Sequence, residues 1–133
     1  MNPIPAEILI PHRPPMVFID SLVEAEKGFA RATMTFPDGH FAVSDGRVLE
    51  PALVECIAQT MAALKAYGLP HLVGPPGMLA GAADFAVHRA PRAGEPLEIE
   101  VRELKTLGPM AIVHGRISSG AETLAEGELK LYG

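Results

Sequence analysis

The fold is decided by the stretch from Pro51 to Tyr67, which has the sequence PALVECIAQTMAALKAY. Proline suits the first turn of a helix because the N–H that it lacks would be unpaired there, and Gly68-Leu69-Pro70 is a typical stop. The residues between are apolar on nearly every face, which is typical of a helix buried on all sides. We therefore predict one central, buried helix.

The segments around this helix have the pattern of β-strands. Before it, residues 29–36 alternate apolar and polar side chains and are predicted to pair with a strand at Met16 to Glu26 around the turn Lys27-Gly28. After it, the predicted strands cover 78–89, 97–102, 110–117 and 123–131. This order predicts an α+β fold in which one antiparallel sheet wraps around one helix.

Length and composition indicate a single domain covering residues 1–133. A chain of 133 residues, 48% of them hydrophobic, has enough apolar surface for a core of its own. The net charge of −5 argues against a nucleic-acid partner, because phosphate binding needs an excess of Lys and Arg. The single cysteine, Cys56, cannot form an internal disulfide, which suits a reducing compartment. We expect a cytoplasmic protein.

The apolar segments are too short or too interrupted to indicate an export signal or a membrane-spanning helix. Prolines interrupt the N-terminal residues, so the continuous apolar core of a signal peptide is missing. No apolar run approaches the ~18 residues that cross a bilayer, and the richest one, from Pro51 to Leu64, contains Glu55 and Gln59. We expect a soluble protein.

Two polar side chains share one face of the predicted helix. Glu55 and Gln59 are four residues apart, so they stack on the same face among Ala, Leu, Val, Ile and Met. A buried carboxylate is costly unless it is paired or hydrogen-bonded, so Glu55 needs a partner or a wet cleft. At this point two explanations stay open, a functional carboxylate or a helix face that simply reaches solvent.

One histidine stands in the turn-rich segment before the helix. Residues 37–49 contain Asp38-Gly39 and Asp45-Gly46, and we predict a loop there. His40 follows the first turn, and imidazole titrates near neutral pH, which suits a catalytic base. The alternative is a solvated turn residue. No obvious carboxylate companion accompanies the other histidines, which are His12, His71, His88 and His114.

Motifs for several other chemistries are missing from the sequence. There is neither G-x-G-x-x-G nor G-x-x-x-x-G-K, so the phosphate-binding loops of nucleotide enzymes are lacking. No His-x-x-x-His pair or ligand cluster indicates a metal. Ser44, Ser118 and Ser119 lack the G-x-S-x-G context of an esterase nucleophile. We expect no metal and no cofactor.

Several motifs resemble those of the 3-hydroxyacyl-(acyl carrier protein) dehydratases, which have the hot-dog fold. Residues 10–20, IPHRPPMVFID, are similar to the Leu-Pro-His-Arg-x-Pro opening of that family. Gly39-His40-Phe41 resembles its catalytic Gly-His-Phe loop, and Glu55-Cys56-Ile57-Ala58-Gln59 resembles its Glu-x-x-Ala-Gln helix motif. Residues 85–96 are similar to its Phe-x-x-x-Arg-x-Pro-x-x-x-Gly-Asp stretch. The likeness spans nearly the whole chain.

The sequence departs from that family in the loop before the helix. The family usually has Gly-His-Phe-Pro-Gly followed by further prolines, whereas residues 39–52 are GHFAVSDGRVLEPA. His40 and Glu55 are fifteen positions apart, one more than is common, and Ala52 follows Pro51 where Pro-Gly is expected. In these features the chain resembles a divergent branch that is found with aryl polyene and polyketide-type lipid pathways.

The resemblance implies a hydro-lyase that removes water from a carrier-bound 3-hydroxyacyl thioester in fatty-acid or polyketide-type lipid biosynthesis. His40 would be the base that takes the proton next to the thioester carbonyl, and Glu55 the acid that helps the 3-hydroxyl leave. Backbone N–H groups of the first helical turn would stabilise the thioester oxygen. The implied substrate-binding residues are Phe41, Pro51, Ala52, Leu53 and Gln59.

The resemblance also implies partners. Sites of this family form between two subunits, so His40 and Glu55 would come from different chains of a homodimer with a continuous sheet, and higher assembly stays open. Because an acidic acyl carrier protein presents the substrate, a basic rim would favour docking, and Arg89 and Arg92 are candidates. The alternative for both arginines is an ordinary strand-end charge.

Two other functions stay open. A thioesterase of the same fold would use a carboxylate to activate water and would release free thiol. A non-catalytic hot-dog subunit would bind acyl chains or pair with an active partner in a hetero-oligomeric dehydratase, and the altered loop supports it. The Gly-His-Phe loop and the opening motif favour dehydration over thioester hydrolysis.

Overall fold

Strands surround one long helix in the order that the sequence predicts. A computed structural model describes residues 1–68 and 78–132, and the predicted helix stop at Leu69-Pro70 lies outside these residues. In chain order the elements are β1 (Ile4–Pro5), α1 (Ala6–Leu9), β2 (Ser21–Glu26), β3 (Phe29–Met34), β4 (Val43–Ser44), β5 (Arg47–Val48), α2 (Glu50–Gly68), β6 (Met78–Val87), β7 (Leu97–Leu107), β8 (Met110–Ser119) and β9 (Glu122–Tyr132).

Seven of the strands form one antiparallel sheet. Their order across the sheet is β1-β2-β3-β7-β8-β9-β6, and α2 packs against six of them, from β2 to β6 in that order. The helix covers Glu50–Gly68, which confirms the helix predicted for Pro51 to Tyr67. The predicted α+β class, with one antiparallel sheet wrapped around one long helix, is confirmed.

The apolar side chains of the alternating strands face α2. In β3, Ala30, Ala32 and Met34 are buried, whereas Arg31 and Thr33 on the opposite face are partly exposed. Ten of the nineteen residues of α2 are buried. A helix apolar on nearly all sides therefore fills the concave face of the sheet, as its sequence predicts.

The strand predicted from Met16 begins only at Ser21, so this prediction is wrong over residues 16–20. The reason is a long-range contact. The Gln59 side chain donates to the Met16 carbonyl at 2.9 Å and accepts from the Phe18 N–H at 2.8 Å. These backbone groups are bound to α2 instead of to a neighbouring strand. The following hairpin of β2 and β3 is confirmed.

The loop predicted for residues 37–49 contains a small hairpin, β4 with β5, so that prediction is wrong in part. Its turn is Asp45-Gly46, whose φ angles of 51° and 73° are both positive, as a type I′ turn requires. The Val48 N–H donates to the Pro91 carbonyl at 2.8 Å, and the Ala93 N–H donates to the Gly46 carbonyl at 2.9 Å. Contacts with a distant part of the chain thus order this segment.

The N-terminal residues form β1, which pairs with β2 at one edge of the sheet, and the short helix α1. The Ala6 N–H donates to the Asp20 carbonyl at 3.0 Å, which ties α1 to the start of β2. Over residues 1–68 and 78–132, neither helix combines the length and the apolar character of a membrane span.

Candidate active site

His40 is positioned by a tight turn that follows β3. Gly39 has a φ of 94°, a conformation that glycine adopts without strain. The His40 N–H donates to the Pro37 carbonyl at 3.1 Å, and the His40 carbonyl accepts from the Val43 N–H at 2.9 Å. The backbone of His40 is therefore held on both sides.

The half-buried imidazole of His40 lies among three phenylalanine rings. It stacks on Phe41 with centroids 4.9 Å apart, and it meets the Phe36 ring edge to face at 5.1 Å. The Phe18 ring lies 5.7 Å away at a tilt of 55°. Aromatic contacts on several sides restrict rotation of the imidazole and fix the direction in which its nitrogens point.

One nitrogen of this imidazole is already engaged. The Ala42 backbone N–H donates to Nδ1 of His40 at 3.0 Å. A backbone N–H can only donate, so Nδ1 must offer its lone pair. In the neutral imidazole the proton is consequently on Nε2.

Glu55 and Gln59 lie on one face of α2, as their spacing predicts, and they are hydrogen-bonded. Gln59 is 1% exposed, and its Nε2 donates to Glu55 Oε1 at 3.2 Å as well as to the Met16 carbonyl. Its own Oε1 accepts from the Phe18 N–H. Both amide donors of Gln59 are used within the chain. The half-buried Glu55 carboxylate is thus held by a fully buried amide.

Phe18 joins the two parts of the site within a single chain. Its ring contacts His40, while its backbone N–H is bonded to Gln59, which in turn holds Glu55. Sequence analysis did not select Phe18 as a site residue. The available signal was that Phe18 lies in the opening motif of residues 10–20. That motif resembles the dehydratases, but the sequence alone did not show which residues it contacts.

The first turn of α2 offers fewer backbone donors than predicted. Pro51 has no N–H, and the Ala52 N–H donates to the Leu49 carbonyl at 3.1 Å. Leu53 is the fourth residue of α2, where the N–H makes the first intrahelical hydrogen bond, and its side chain is fully buried. Phe41, by contrast, is 57% exposed, so its ring is accessible beside His40.

Arg89, a predicted docking residue, is engaged by two carboxylates. It donates two hydrogen bonds to Glu95, at 3.1 and 2.7 Å, and two to Glu122, both at 3.1 Å. Hydrogen bonds from Arg89 and from the Arg92 N–H lower the pKa of Glu95 to about 2. Arg89 likewise lowers the pKa of Glu122. The charge of Arg89 is therefore balanced inside the chain, whereas Arg92 is exposed.

The face of the sheet opposite α2 carries a network of charges. Arg31 and Arg116 both donate to Glu100, at 2.9 and 2.7 Å. Partial burial alone would raise the pKa of Glu100, but these hydrogen bonds outweigh it and lower the pKa. A shallow cavity of about 210 Å³ on this face is lined by Phe29, Glu100, Arg102, His114 and Arg116. None of the predicted site residues lines it.

Two histidines have a carboxylate neighbour that the sequence did not indicate. Nε2 of His88 lies 3.7 Å and Nε2 of His114 lies 3.9 Å from the carboxylate oxygens of Glu126. The interpretation that these histidines lack a companion is therefore wrong. Glu126 is on β9, next to β8 in the sheet, and sequence spacing does not reveal that neighbourhood.

Two further titratable groups lie near α2. Burial raises the pKa of Asp20, although the Thr35 N–H donates to its carboxylate at 2.9 Å. Burial, followed by the charges of Glu55 and Asp20, raises the pKa of the Cys56 thiol, as expected for a small buried side chain of the core. Within the described part of the chain, no three His, Cys, Asp or Glu residues are grouped so that they could hold a metal ion.

The sequence of this chain matches the model of a dehydratase family. A family model described as ApeP-like, ApeP dehydratase, matches residues 4–133. The chain belongs to this ApeP-like family. The resemblance to the 3-hydroxyacyl-(acyl carrier protein) dehydratases, in a divergent branch, is thereby confirmed.

Relatives of this ApeP-like chain share one enzyme name. It is 31% identical over 130 residues to the 3-hydroxyacyl-(acyl-carrier-protein) dehydratase FabZ of Natranaerobius thermophilus, covering 91% of this chain and 89% of the relative. It is 33% identical over 129 residues to the FabZ of Magnetococcus marinus, with 87% and 84% covered. Relatives of this kind support a hydro-lyase acting in fatty-acid synthesis.

Solved structures confirm the predicted hot-dog fold of the ApeP-like chain. The dehydratase heterocomplex ApeI:P from Xenorhabdus doucetiae matches with a TM-score of 0.87 at 23% identity, covering 97% of this chain and 90% of that one. The zebra fish thioesterase superfamily member 2 matches with a TM-score of 0.66 at 16% identity, covering 84% and 79%. Because thioesterase-superfamily proteins share the fold, the fold alone does not distinguish dehydration from thioester hydrolysis.

Proposed function

We propose that this chain dehydrates a 3-hydroxyacyl thioester, carried by an acyl carrier protein, to a trans-2-enoyl thioester. The family and its FabZ relatives support the reaction type. The observation that carries the proposal is that each chain fixes both groups, the imidazole of His40 against the ring of Phe18 and the carboxylate of Glu55 on the buried amide of Gln59. Dehydration needs groups that handle the C2 proton, the thioester oxygen and the departing hydroxyl, and an imidazole with a carboxylate can supply them.

Substrate contacts are proposed at the loop of His40 and at the start of α2. We assign the exposed ring of Phe41 to the acyl thioester beside His40, and the start of α2, at Pro51 and Ala52, to the same substrate. Leu53 of the same turn packs in the hydrophobic core. Gln59 acts by holding Glu55, because both of its amide donors are committed.

The site is proposed to be completed by a second hot-dog subunit. The ten-residue strand β6 lies at one edge of the sheet and pairs with β9 on one side. A long unpaired edge is a template for another strand. The family resemblance implies that in such a pair of subunits His40 of one meets Glu55 of the other. The default partner is a second copy of this chain.

A purified chain incubated with a 3-hydroxyacyl thioester tests the reaction, with the enoyl product followed by its absorbance. We expect product, and we expect His40→Ala and Glu55→Ala each to reduce its rate by at least about a hundredfold. Matched controls are His88→Ala, a half-exposed histidine, and Glu50→Ala, an exposed glutamate of the same helix. Both controls should retain the activity.

Other outcomes of this assay would redirect the proposal. Release of free thiol without enoyl product would identify a thioesterase. Enoyl formation that survives both substitutions would mean that His40 and Glu55 are not the catalytic pair.

Carrier-protein docking is proposed at Arg47 and Arg92. Both side chains are exposed. Arg47 lies in the hairpin that follows His40, and its backbone forms an isolated β-bridge with that of Arg92. Arg89 is a weaker candidate because Glu95 and Glu122 balance its charge. Two exposed cations next to the site would attract an acidic carrier protein even though the chain has a net charge of −5.

Charge reversal tests this surface. Arg47→Glu with Arg92→Glu should raise the KM for carrier-bound substrate at least about tenfold and leave a short thioester mimic unaffected, because rim charges act mainly on encounter. The control variant Arg102→Glu reverses an exposed cation on the outer sheet face. Equal effects on carrier-bound substrate and mimic would remove this docking surface.

A second candidate function is that of one subunit in a hetero-oligomeric dehydratase. The specific observation is the likeness to a chain of the dehydratase heterocomplex ApeI:P. If the purified chain is inactive alone and gains activity when a second hot-dog subunit is added, the hetero-oligomer is the working form. Activity of the chain as a homodimer would favour the first candidate.

A further inference from the structure

We propose that Arg89 and Glu95 are positioning residues for the reaction, because together they hold the loop of residues 90–94 against the segment that carries His40. This inference rests on the proposed function and deepens it. Arg89 and Glu95 act through other groups of the chain, without contact to the substrate. A continuous series of hydrogen bonds, from the ion pair through the loop to the hairpin of β4 and β5, carries the inference.

The carboxylate of Glu95 closes the loop at its base. Arg89 and Glu95 flank the loop and form a bidentate ion pair, with hydrogen bonds of 3.1 and 2.7 Å. Oε1 of Glu95 also accepts from the Arg92 N–H inside the loop at 3.0 Å. Glu122 of β9 accepts two further hydrogen bonds from Arg89. A bidentate pair fixes orientation as well as distance, so the loop is closed and is tied to the sheet.

The closed loop is bonded in turn to the hairpin of β4 and β5. The Val48 N–H donates to the Pro91 carbonyl at 2.8 Å, and the Ala93 N–H donates to the Gly46 carbonyl at 2.9 Å. A two-stranded hairpin is marginally stable on its own in water. The hairpin therefore depends on the loop, and the shape of the loop depends on Glu95.

The hairpin and the loop hold the surroundings of His40 from two sides. The Val43 N–H of β4 donates to the His40 carbonyl at 2.9 Å. The Gly94 N–H of the loop donates to the carbonyl of Phe36, whose ring meets the imidazole edge to face at 5.1 Å. A displaced loop would shift both the backbone of His40 and one of the rings that surround it. Misplacement of a catalytic group by about 1 Å can lower a rate by about a hundredfold.

Substitution of Glu95 tests the inference in kinetics. With a short 3-hydroxyacyl thioester mimic, which avoids any effect on carrier docking, Glu95→Ala should lower kcat at least about tenfold. KM should change less than about threefold, because the groups that contact the substrate remain.

Glu100→Ala, on the outer face of the sheet, is the matched control. Glu100 is also an ion-paired carboxylate, with hydrogen bonds from Arg31 and Arg116, and its side chain is 19% exposed against 18% for Glu95. Its substitution should leave kcat within about twofold of the wild type. Equal losses of kcat in the two variants would overturn the positioning role.

A double variant tests whether the two residues act by the same route. Arg89→Ala should also lower kcat, and adding Glu95→Ala to it should cause little further loss, because both substitutions open the same loop. Losses that multiply in the double variant would show two independent effects and would overturn the shared role.

Amide hydrogen exchange measures the order of the segment independently of activity. In Glu95→Ala, the N–H groups of Val48 and Ala93 should exchange at least about tenfold faster than in the wild type, with no change in the central strand β7. Unchanged exchange at both would overturn the inference even if the enzyme is a dehydratase, and so would faster exchange with an unchanged kcat. A wild-type chain without dehydratase activity, in which Glu95→Ala still accelerates the exchange, would instead overturn the proposed function.

Discussion

Gly115 of β8 lies directly against Ile57 of α2. A Cβ on Gly115 would stand 2.5 Å from Cγ2 of Ile57 and 2.6 Å from its Cδ1, and Ile57 is fully buried. Carbon atoms do not approach each other this closely, so the missing side chain determines how near the helix comes to the sheet. Because α2 also carries Glu55, this contact sets the position of the candidate carboxylate.

Gly115→Ala should therefore lower the free energy of unfolding by about 1–3 kcal/mol, the usual cost of overpacking a core. Chemical denaturation followed by circular dichroism measures it. Gly81→Ala is a matched control, since among the described residues a Cβ at Gly81 would meet nothing within 4 Å. A Gly115→Ala chain as stable as the wild type would show that the helix can move away from the sheet at little cost.

Gln59→Leu should destabilise the chain by at least about 1–3 kcal/mol, because it leaves the buried Phe18 N–H without an acceptor. It should also lower dehydratase activity, since Glu55 loses its amide donor. Thr60→Val removes a neighbouring buried hydroxyl, which donates to the Cys56 carbonyl at 2.7 Å within the same helix. We expect less than about 1 kcal/mol for this control. Equal denaturation midpoints for the two variants would contradict a stabilising role of the Gln59 hydrogen bonds.

The Arg89–Glu95 ion pair should make the free energy of unfolding depend on pH in the acid range. The pKa of Glu95 is about 2 in the folded chain against an ordinary value of 4.5, so the unfolded chain binds the proton more readily. Its stabilisation is present above about pH 4.5 and is lost as the pH falls toward 2. Because both partners lie near solvent, the effect is modest. Glu95→Gln should flatten this part of the curve of unfolding free energy against pH.

The same curve provides the control for this pair. Arg89→Gln should flatten it as well, and adding Glu95→Gln to that variant should change little, since the favourable partner is already gone. Independent, additive effects of the two substitutions would exclude the ion pair as the cause.

Cys56 should react with a thiol reagent only when the core opens. It is fully buried in α2, and burial raises the pKa of its thiol, so both access and thiolate are lacking. We expect labelling of the folded chain to be at least about a hundredfold slower than labelling in denaturant, with the rate rising as stability falls. Fast labelling under native conditions would mean that α2 is accessible to solvent.

Local patterns were sufficient for most of the elements. The apolar composition of residues 51–67 predicted α2, and the alternation in residues 29–36 predicted the buried and exposed faces of β3. The Asp45-Gly46 pair was recognised as a turn, although the short hairpin around it was not predicted. These features depend on neighbours within a few residues, which the sequence displays directly.

The errors concern segments whose backbone is bound by distant side chains. Residues 16–20 were predicted as strand because they are apolar, yet Gln59 binds Met16 and Phe18 from 43 and 41 positions away. The hairpin of β4 and β5 depends in the same way on residues 91–93. Local secondary-structure propensity does not include such long-range contacts. The contacts therefore overrode the predictions for these segments.

The sequence alone determined the class of the fold and the family, and it selected His40 and Glu55 for the candidate site. Only the tertiary structure decided that Phe18 contacts His40 and is bonded to Gln59, that the Ala42 N–H donates to Nδ1 of His40, and that Arg89 is balanced by Glu95. The physical reason is that burial patterns are set by the spacing of neighbouring residues, whereas the direction of a hydrogen bond depends on where the folded backbone brings donor and acceptor together.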